Sequence, residues 1–161
     1  MKKYCVVACI IMICCGASWS ASAAHRGASG LPITIKSNEL SADNKGKVAT
    51  FTGKVVAKQG DVTIYCERMT IYYGAVQGDV DKIEADGNVR IVQSNRIGQS
   101  AHAVYESKEG KITLTGGSPR VTQGSDTVSG KVISYYIDDD RSEVRGDGDR
   151  VEAVIHPKSK K

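Results

Sequence analysis

Hydrophobic and polar residues alternate with a period of two from Pro32 onward, and no apolar stripe with the 3.6-residue period of a helix persists. The alternation is clear around Phe51, Ile64, Ile91 and Leu114, and these residues, together with Leu40, are predicted to face the core. Such alternation is typical of antiparallel strands that bury one face and leave the other in water. The chain is therefore predicted to be all-β. Clusters of Gly, Asn, Asp and Ser, which favour turns, place the hairpin tips at 44–46, 58–60, 107–110 and 138–140.

A short motif with a glycine in the middle of a strand recurs along this region. Thr52-Gly53-Lys54, Asp86-Gly87-Asn88 and Thr115-Gly116 follow one another at intervals of roughly thirty residues, which is a length typical of structural repeats. A glycine within a strand usually marks a bulge or bend. Bends at the same place in each repeat predict a sheet folded along a common crease. We expect an elongated, open, V-shaped β-jellyroll of many short strands whose apolar faces turn inward.

The first residues have the pattern of a secretory signal peptide. Met1-Lys2-Lys3 is positively charged, Val6 to Cys15 is apolar, and Ala21-Ser22-Ala23 provides small residues for cleavage after Ala23. The apolar run is shorter than the ~20 residues that a spanning helix needs. Retention of this segment as a membrane anchor is the alternative. The predicted organisation is a signal peptide at 1–23, a flexible segment at 24–31, a β domain at 32–157 and a basic tail at 158–161.

The net charge and the positions of the cysteines argue against several kinds of partner and site. The chain has 22 Lys and Arg against 18 Asp and Glu. The net charge of +4 falls to +2 without Lys2 and Lys3, and the predicted β domain contains no basic block. This argues against a nucleic-acid partner. Cys66 is the one cysteine outside the predicted signal, so neither an internal disulfide nor a thiolate metal site is expected.

The sequence contains no constellation of catalytic or metal-binding residues. It has no G-x-S-x-G motif, and His25, His102 and His156 stand apart from one another without a paired Glu or Cys. The acidic run 138–140 lacks the alternating ligands of a calcium loop and is predicted to be a solvated turn. Each tyrosine pair, such as Tyr135-Tyr136, is expected to point one ring inward and one outward. We predict no enzyme activity, no catalytic residues, no metal and no cofactor.

Several segments resemble the LptA/OstA family of lipopolysaccharide-transport proteins. Residues 32–43 are similar to the opening motif of that family, and Ala49 to Gly60, with the core Thr-Phe-Thr-Gly-Lys-Val, resemble its most distinctive segment. The remaining matches follow in the order expected for the family and extend the resemblance over nearly the whole chain after the predicted signal: 113–116, 130–135 and 146–151.

The resemblance implies a periplasmic protein that binds lipopolysaccharide through its lipid A acyl chains and passes it from the inner to the outer membrane. It implies an open β-jellyroll fold, no catalysis, and partner subunits of similar fold in the inner and outer membranes. Together with the shared phase of apolar positions in successive strands, it predicts a hydrophobic groove lined by Phe51, Val55, Ile64, Ile71, Val89, Ile91, Leu114 and Ile133. Cations at polar strand positions are expected to form a rim for the anionic head group: Lys36, Lys54, Lys58, Arg68 and Arg90.

The two ends of the domain look like unguarded strand edges. Open edges invite another strand, and the first strand (31–35) and the last strand (151–155) are short, rich in β-formers and uninterrupted by proline after Pro32. We therefore expect head-to-tail homo-oligomers, and docking of partner subunits, through Ile33, Ile35, Val151, Ala153 and Ile155. Two other functions remain open, namely an inner-membrane-anchored bitopic subunit of the same export system and a β-solenoid carbohydrate-binding module.

Overall fold

The protein is described by a computed structural model that covers residues 31–76 and 78–157. The predicted signal peptide, nearly all of segment 24–31 and the tail 158–161 lie outside these ranges. The described residues form twelve antiparallel strands in one open sheet. They contain no helix capable of crossing a membrane. The strands are β1 Thr34–Lys36, β2 Glu39–Asp43, β3 Val48–Gln59, β4 Val62–Tyr73, β5 Val80–Gln93, β6 Arg96–Glu106, β7 Lys111–Thr115, β8 Arg120–Gln123, β9 Asp126–Ser129, β10 Val132–Tyr136, β11 Arg141–Arg145 and β12 Glu152–Val154.

The sheet is folded into two arms. The first arm has the order β2, β3, β4, β5, β6, β7, β10, β11, and the second has the order β1, β3, β4, β5, β6, β8, β9, β12. Strands β3 to β6 run through both arms, because each pairs with its neighbour on both sides of an irregularity. The other strands belong to one arm only. The all-β, V-shaped open jellyroll expected from the sequence is confirmed.

The crease between the arms lies where the repeated glycines predicted a bend. The pairing register shifts between Thr52 and Val55 and again between Asp86 and Val89. Gly53 and Gly87 adopt backbone φ angles of +82° and +79°, a region that glycine enters without steric cost. The following residues, Lys54 and Asn88, also have positive φ, so both bulges are built in the same way. The mid-strand glycine therefore turns β3 and β5 from one arm into the other.

Apolar rows run across the inner face of each arm. In the first arm, one row of register partners crosses all eight strands: Leu40, Phe51, Met69, Ala85, Ala103, Leu114, Ile133 and Val144. In the second arm, the corresponding row is Ile35, Ala57, Ile64, Ile91, Gly98, Val121, Val128 and Ala153. Met69, in the middle of its row, is 1% exposed, whereas Leu40, at the row's end, is 60% exposed. Burial therefore depends on having a strand on both sides.

Candidate functional site

The eight residues expected to line a groove all lie in the apolar interior between the arms. Val55, Ile71, Val89, Leu114 and Ile133 are buried members of one hydrophobic cluster. Phe51, Ile64 and Ile91 are partly buried and pack against that cluster. The sequence pattern thus placed these residues in one continuous apolar layer. Their contact with lipid remains a prediction.

The two arms touch each other inside this layer. A Cβ atom at Gly98, on the second arm, would lie 3.1 Å from Cδ1 of Leu114 on the first arm. A side chain in this position would crowd Leu114, so the glycine permits the close approach of the two faces. Any molecule entering between these two faces would require the facing side chains to separate or to rearrange.

A polar row borders the apolar interior at the outer rim of the second arm. Its members are polar except for Val62, and in register order they are Gln59, Val62, Gln93, Arg96, Gln123 and Asp126. Arg96 shares the face of Gly98, two residues away, and therefore points inward. Among the described residues that the strand registers place on the inward side, Arg96 is the one Lys or Arg.

Arg96 reaches across the interior to the first arm. Its guanidinium carbon lies 5.2 Å from the centroid of the Tyr135 ring, and Nη1 lies 3.8 Å from Oδ1 of Asp140. The Tyr135 hydroxyl donates a hydrogen bond of 2.9 Å to the same carboxylate oxygen. Burial, and next the hydrogen bond to Asp140, raise the pKa of the Tyr135 phenol. The phenol therefore remains protonated and able to donate at neutral pH. We call these three residues the rim latch.

The expected rim of cations is not at the groove, and this prediction was wrong. Lys36, Lys58 and Arg90 alternate with inward-facing residues of the second arm, so their side chains lie on its outer face. Arg90 stacks there over Tyr65 at 5.9 Å. Arg68 lies on the outer face of the first arm, next to buried Met69, and Lys54 lies in the crease bulge.

The expected edge residues lie at the two free edges of the second arm. Ile35 is in β1, with Ile33 just before it, and Ala153 is in β12, flanked by Val151 and Ile155. Ile155 is 70% exposed. The first arm also has two free edges, β2 and β11, which sequence reasoning missed. Leu40 was expected in the core but lies exposed on β2, because β3 is the one described strand with which β2 pairs.

Cys66 lies in the interior close to the crease and pairs in register with Val55. Burial, with a contribution from the nearby charge of Asp86, raises the pKa of its thiol to about 11. The reactive species is the thiolate. The folded protein therefore presents almost none of it at neutral pH.

We expect Cys66 of the folded protein to resist iodoacetamide at pH 8, with alkylation rising only as the pH approaches 11 or when urea unfolds the chain. Mass spectrometry of the Cys66 peptide measures this. A Lys58→Cys variant, on the outer face, provides an exposed thiol in the same molecule and should react at pH 8. Equal rates at the two positions would contradict burial of Cys66. Because folding raises the pKa of the Cys66 thiol, burial of this thiol in its protonated form stabilises the folded protein. This stabilisation is complete below the ordinary thiol pKa of 9 and is lost as the pH rises towards 11.

Within residues 31–76 and 78–157, no group of three or more His, Cys, Asp and Glu side chains is placed to hold a metal ion. Several carboxylates instead form ion pairs on the outer faces. Glu84, for example, accepts hydrogen bonds from Lys82 at 2.8 Å and from the Tyr72 hydroxyl at 2.9 Å. The bond from Lys82 is the main cause that lowers the pKa of Glu84.

Comparison with known proteins places this arrangement in a family. A family model described as LptA/(LptD N-terminal domain) LPS transport protein matches residues 34–141. The lipopolysaccharide export system protein LptA of Escherichia coli strain K12 is 29% identical over 133 residues, covering 78% of this chain and 71% of that protein. An uncharacterised protein of Rhizobium meliloti is 26% identical over 137 residues, covering 81% of this chain and 74% of that protein.

A solved structure shares the fold. The crystal structure of LptH, the LptA-homologous periplasmic component of the lipopolysaccharide transport device of Pseudomonas aeruginosa, superposes with a TM-score of 0.70. The match covers 79% of this chain and 96% of LptH, at 20% sequence identity. The likeness in fold therefore extends over most of the chain.

Proposed function

The chain belongs to the LptA/LptD N-terminal-domain family of lipopolysaccharide-transport proteins, and on that premise we propose that it is a periplasmic carrier that holds lipopolysaccharide acyl chains between its two arms. The observation that carries the proposal is the apolar interior, which crosses eight strand segments in each arm and reaches a free strand edge at both ends. The signal-like residues 1–23 and the periplasmic LptH support the location. The role is to bind and pass on a lipid, without catalysis.

The energetics favour acyl chains as the occupant. Each buried CH₂ group contributes roughly 0.8 kcal/mol, so several chains offset the cost of separating side chains such as Leu114 and Ile91. The sugar portion of the lipid, being polar, remains outside the apolar layer. Passage from the inner to the outer membrane follows if the layer is continuous from one molecule to the next.

Continuity between molecules is proposed to arise from strand addition at the free edges. In both arms the first and last strands are antiparallel to each other, because the eight segments of each arm alternate in direction. The last strand of one copy therefore pairs with the first strand of the next as an ordinary antiparallel neighbour. In the second arm, Ala153 of one copy then meets Ile35 of the next copy and prolongs the same apolar row.

Outward charges support this register. Glu39 and Arg145 are the two ends of one outward row of the first arm, and Lys36 and Glu152 are the two ends of one outward row of the second arm. Extending each row into a neighbouring copy brings Arg145 against Glu39 and Glu152 against Lys36. Opposite charges facing each other across strands stabilise pairing, while like charges oppose it. A partner subunit of similar fold is proposed to use the same edges.

Site-specific photocrosslinking tests lipid binding. A photoreactive residue at Phe51 or Leu114, on the inner face, is expected to capture lipopolysaccharide in cells. The matched controls are Thr50 and Thr113, one residue away on the same strands but on the outer face. The adducts are measured by immunoblotting for lipopolysaccharide. Equal capture from both faces, or none from the inner one, would refute the carrier function.

A further inference from the structure

The rim latch is the part of the interior that the apolar layer does not explain. Arg96 is the first residue of β6, at the outer rim of the second arm. Asp140 lies in the turn between β10 and β11, at the outer rim of the first arm. Their contact therefore joins the two rims on the side away from the crease, where the arms would otherwise be free to separate.

The ion pair between Arg96 and Asp140 in the rim latch is weak, so Arg96 can exchange Asp140 for another anion. The ion pair is long, at 3.8 Å, and the Asp140 side chain is 77% exposed, so solvent screens the attraction. Asp140 retains the hydrogen bond from Tyr135 when Arg96 leaves. Arg96 is more enclosed, with its side chain 34% exposed. An anion arriving beside the interior therefore competes for Arg96 with a carboxylate that does not depend on it.

We propose that Arg96 is an anion-recognition residue of the groove, which pairs with Asp140 in the empty protein and with an anionic group, such as a phosphate, of the bound lipid. The inference rests on the proposed carrier function. A guanidinium binds phosphate through two parallel hydrogen bonds, a stronger arrangement than the single long contact to Asp140. When the anionic group of the lipid replaces Asp140, the contact between the two rims is broken while the acyl chains enter. Binding of the head group is thereby coupled to opening of the arms.

The experiment measures the binding of two probes to the protein purified after export. One probe is a phosphorylated lipid A, and the other is the same lipid with its phosphates removed. Wild-type protein is expected to prefer the phosphorylated lipid. Arg96→Gln is expected to reduce that preference about 10- to 100-fold, in line with the loss of one charge-assisted hydrogen-bonded pair, while binding of the dephosphorylated lipid is retained. Asp140→Asn, which frees Arg96, is expected to strengthen binding of the phosphorylated lipid.

A matched control exists on the opposite face. Arg90 stacks over Tyr65 as Arg96 does over Tyr135, but outside the groove. Arg90→Gln should leave the preference unchanged. A separate arm adds inorganic phosphate. Competition by inorganic phosphate only at concentrations far above that of the lipid supports recognition of a lipid-borne group. Equally strong competition by free phosphate at the lipid concentration would overturn it.

The outcomes separate this inference from the carrier function. If wild-type protein binds both lipids and Arg96→Gln alters their ratio no more than Arg90→Gln does, Arg96 is not the recognition residue, yet the carrier function stands. If wild-type protein binds neither lipid, both proposals fail. Circular dichroism verifies that each variant is folded, and Arg96→Lys, which keeps the charge but not the planar fork, should restore part of the preference.

Discussion

Reversing one charge on each C-terminal edge, in the double variant Arg145→Glu with Glu152→Lys, is expected to raise the dissociation constant for self-association by about 10- to 100-fold, since like charges then face each other across both joints. Glu39 of the next copy would oppose a second carboxylate at position 145, and Lys36 would oppose a second ammonium group at position 152. Within the described residues, none of the four native side chains takes part in an ion pair inside its own chain. Analytical ultracentrifugation over a concentration series gives the measurement.

Adding Glu39→Arg and Lys36→Glu to the same molecule recreates both opposite-charge pairs in reversed form. The quadruple variant is therefore expected to associate nearly as well as the wild type. Arg90→Glu, on the outer face of a central strand, serves as a control for altered net charge. The differences should shrink in high salt, which screens exposed charges. A double variant that associates normally, or a quadruple variant that stays monomeric, would exclude this register.

Truncating Met69 to alanine is expected to lower the free energy of unfolding by about 2–5 kcal/mol, as for other fully buried long aliphatic side chains. Met69 is 1% exposed and has register partners on both sides, Phe51 and Ala85. Leu40→Ala removes a side chain of similar size from the same row but from the free edge, where it is 60% exposed. Its expected cost in the isolated protein is below about 1 kcal/mol.

Urea unfolding of the monomer at low concentration compares the two variants. The same Leu40→Ala change should weaken self-association, because Leu40 becomes an interior member of the row once a neighbouring copy covers it. A small loss in monomer stability together with a large loss in association is thus the expected signature of an edge residue. Equal costs for the two truncations in the monomer would show that β2 is covered by some other part of the chain.

The sequence pattern predicted the strands and the crease because both depend on local chemistry. Alternation sets which residues share a face, and Gly53 and Gly87 mark the bulges by their backbone freedom. The eight proposed lining residues were placed in one layer by the same alternation. The pattern did not reveal which strands lie at an edge, and therefore Leu40 was expected in the core. Whether a strand lies at an edge depends on the order of the strands in the sheet. The residues of β2 and β11 do not themselves indicate that order.

The rim latch could not be predicted from the sequence, because it too depends on how the sheet folds. Its members come from the start of β6 and from the β10–β11 hairpin, and their contact exists only after the sheet has folded across the crease. One signal was available, since Arg96 stands two residues before Gly98 on an inward-facing position. The prediction of a cation rim failed for a different reason. The polar strand positions of Lys36, Lys58 and Arg90 indicated solvent exposure and not proximity to the groove.

The distribution of through-running strands gives the molecule a gradient of bending stiffness. Over β3 to β6 the arms are joined by continuous strands, whereas β1 and β2, β7 and β8, β10 and β9, and β11 and β12 are joined across the crease by short irregular segments. Loop residues absorb changes in backbone angle more readily than paired strands do. The C-terminal half is therefore the compliant half, and the angle between its arms changes at lower elastic cost. In the proposed chain of copies, β11 and β12 of one copy would adjoin β1 and β2 of the next, so compliant junctions would alternate with the stiff β3–β6 sections.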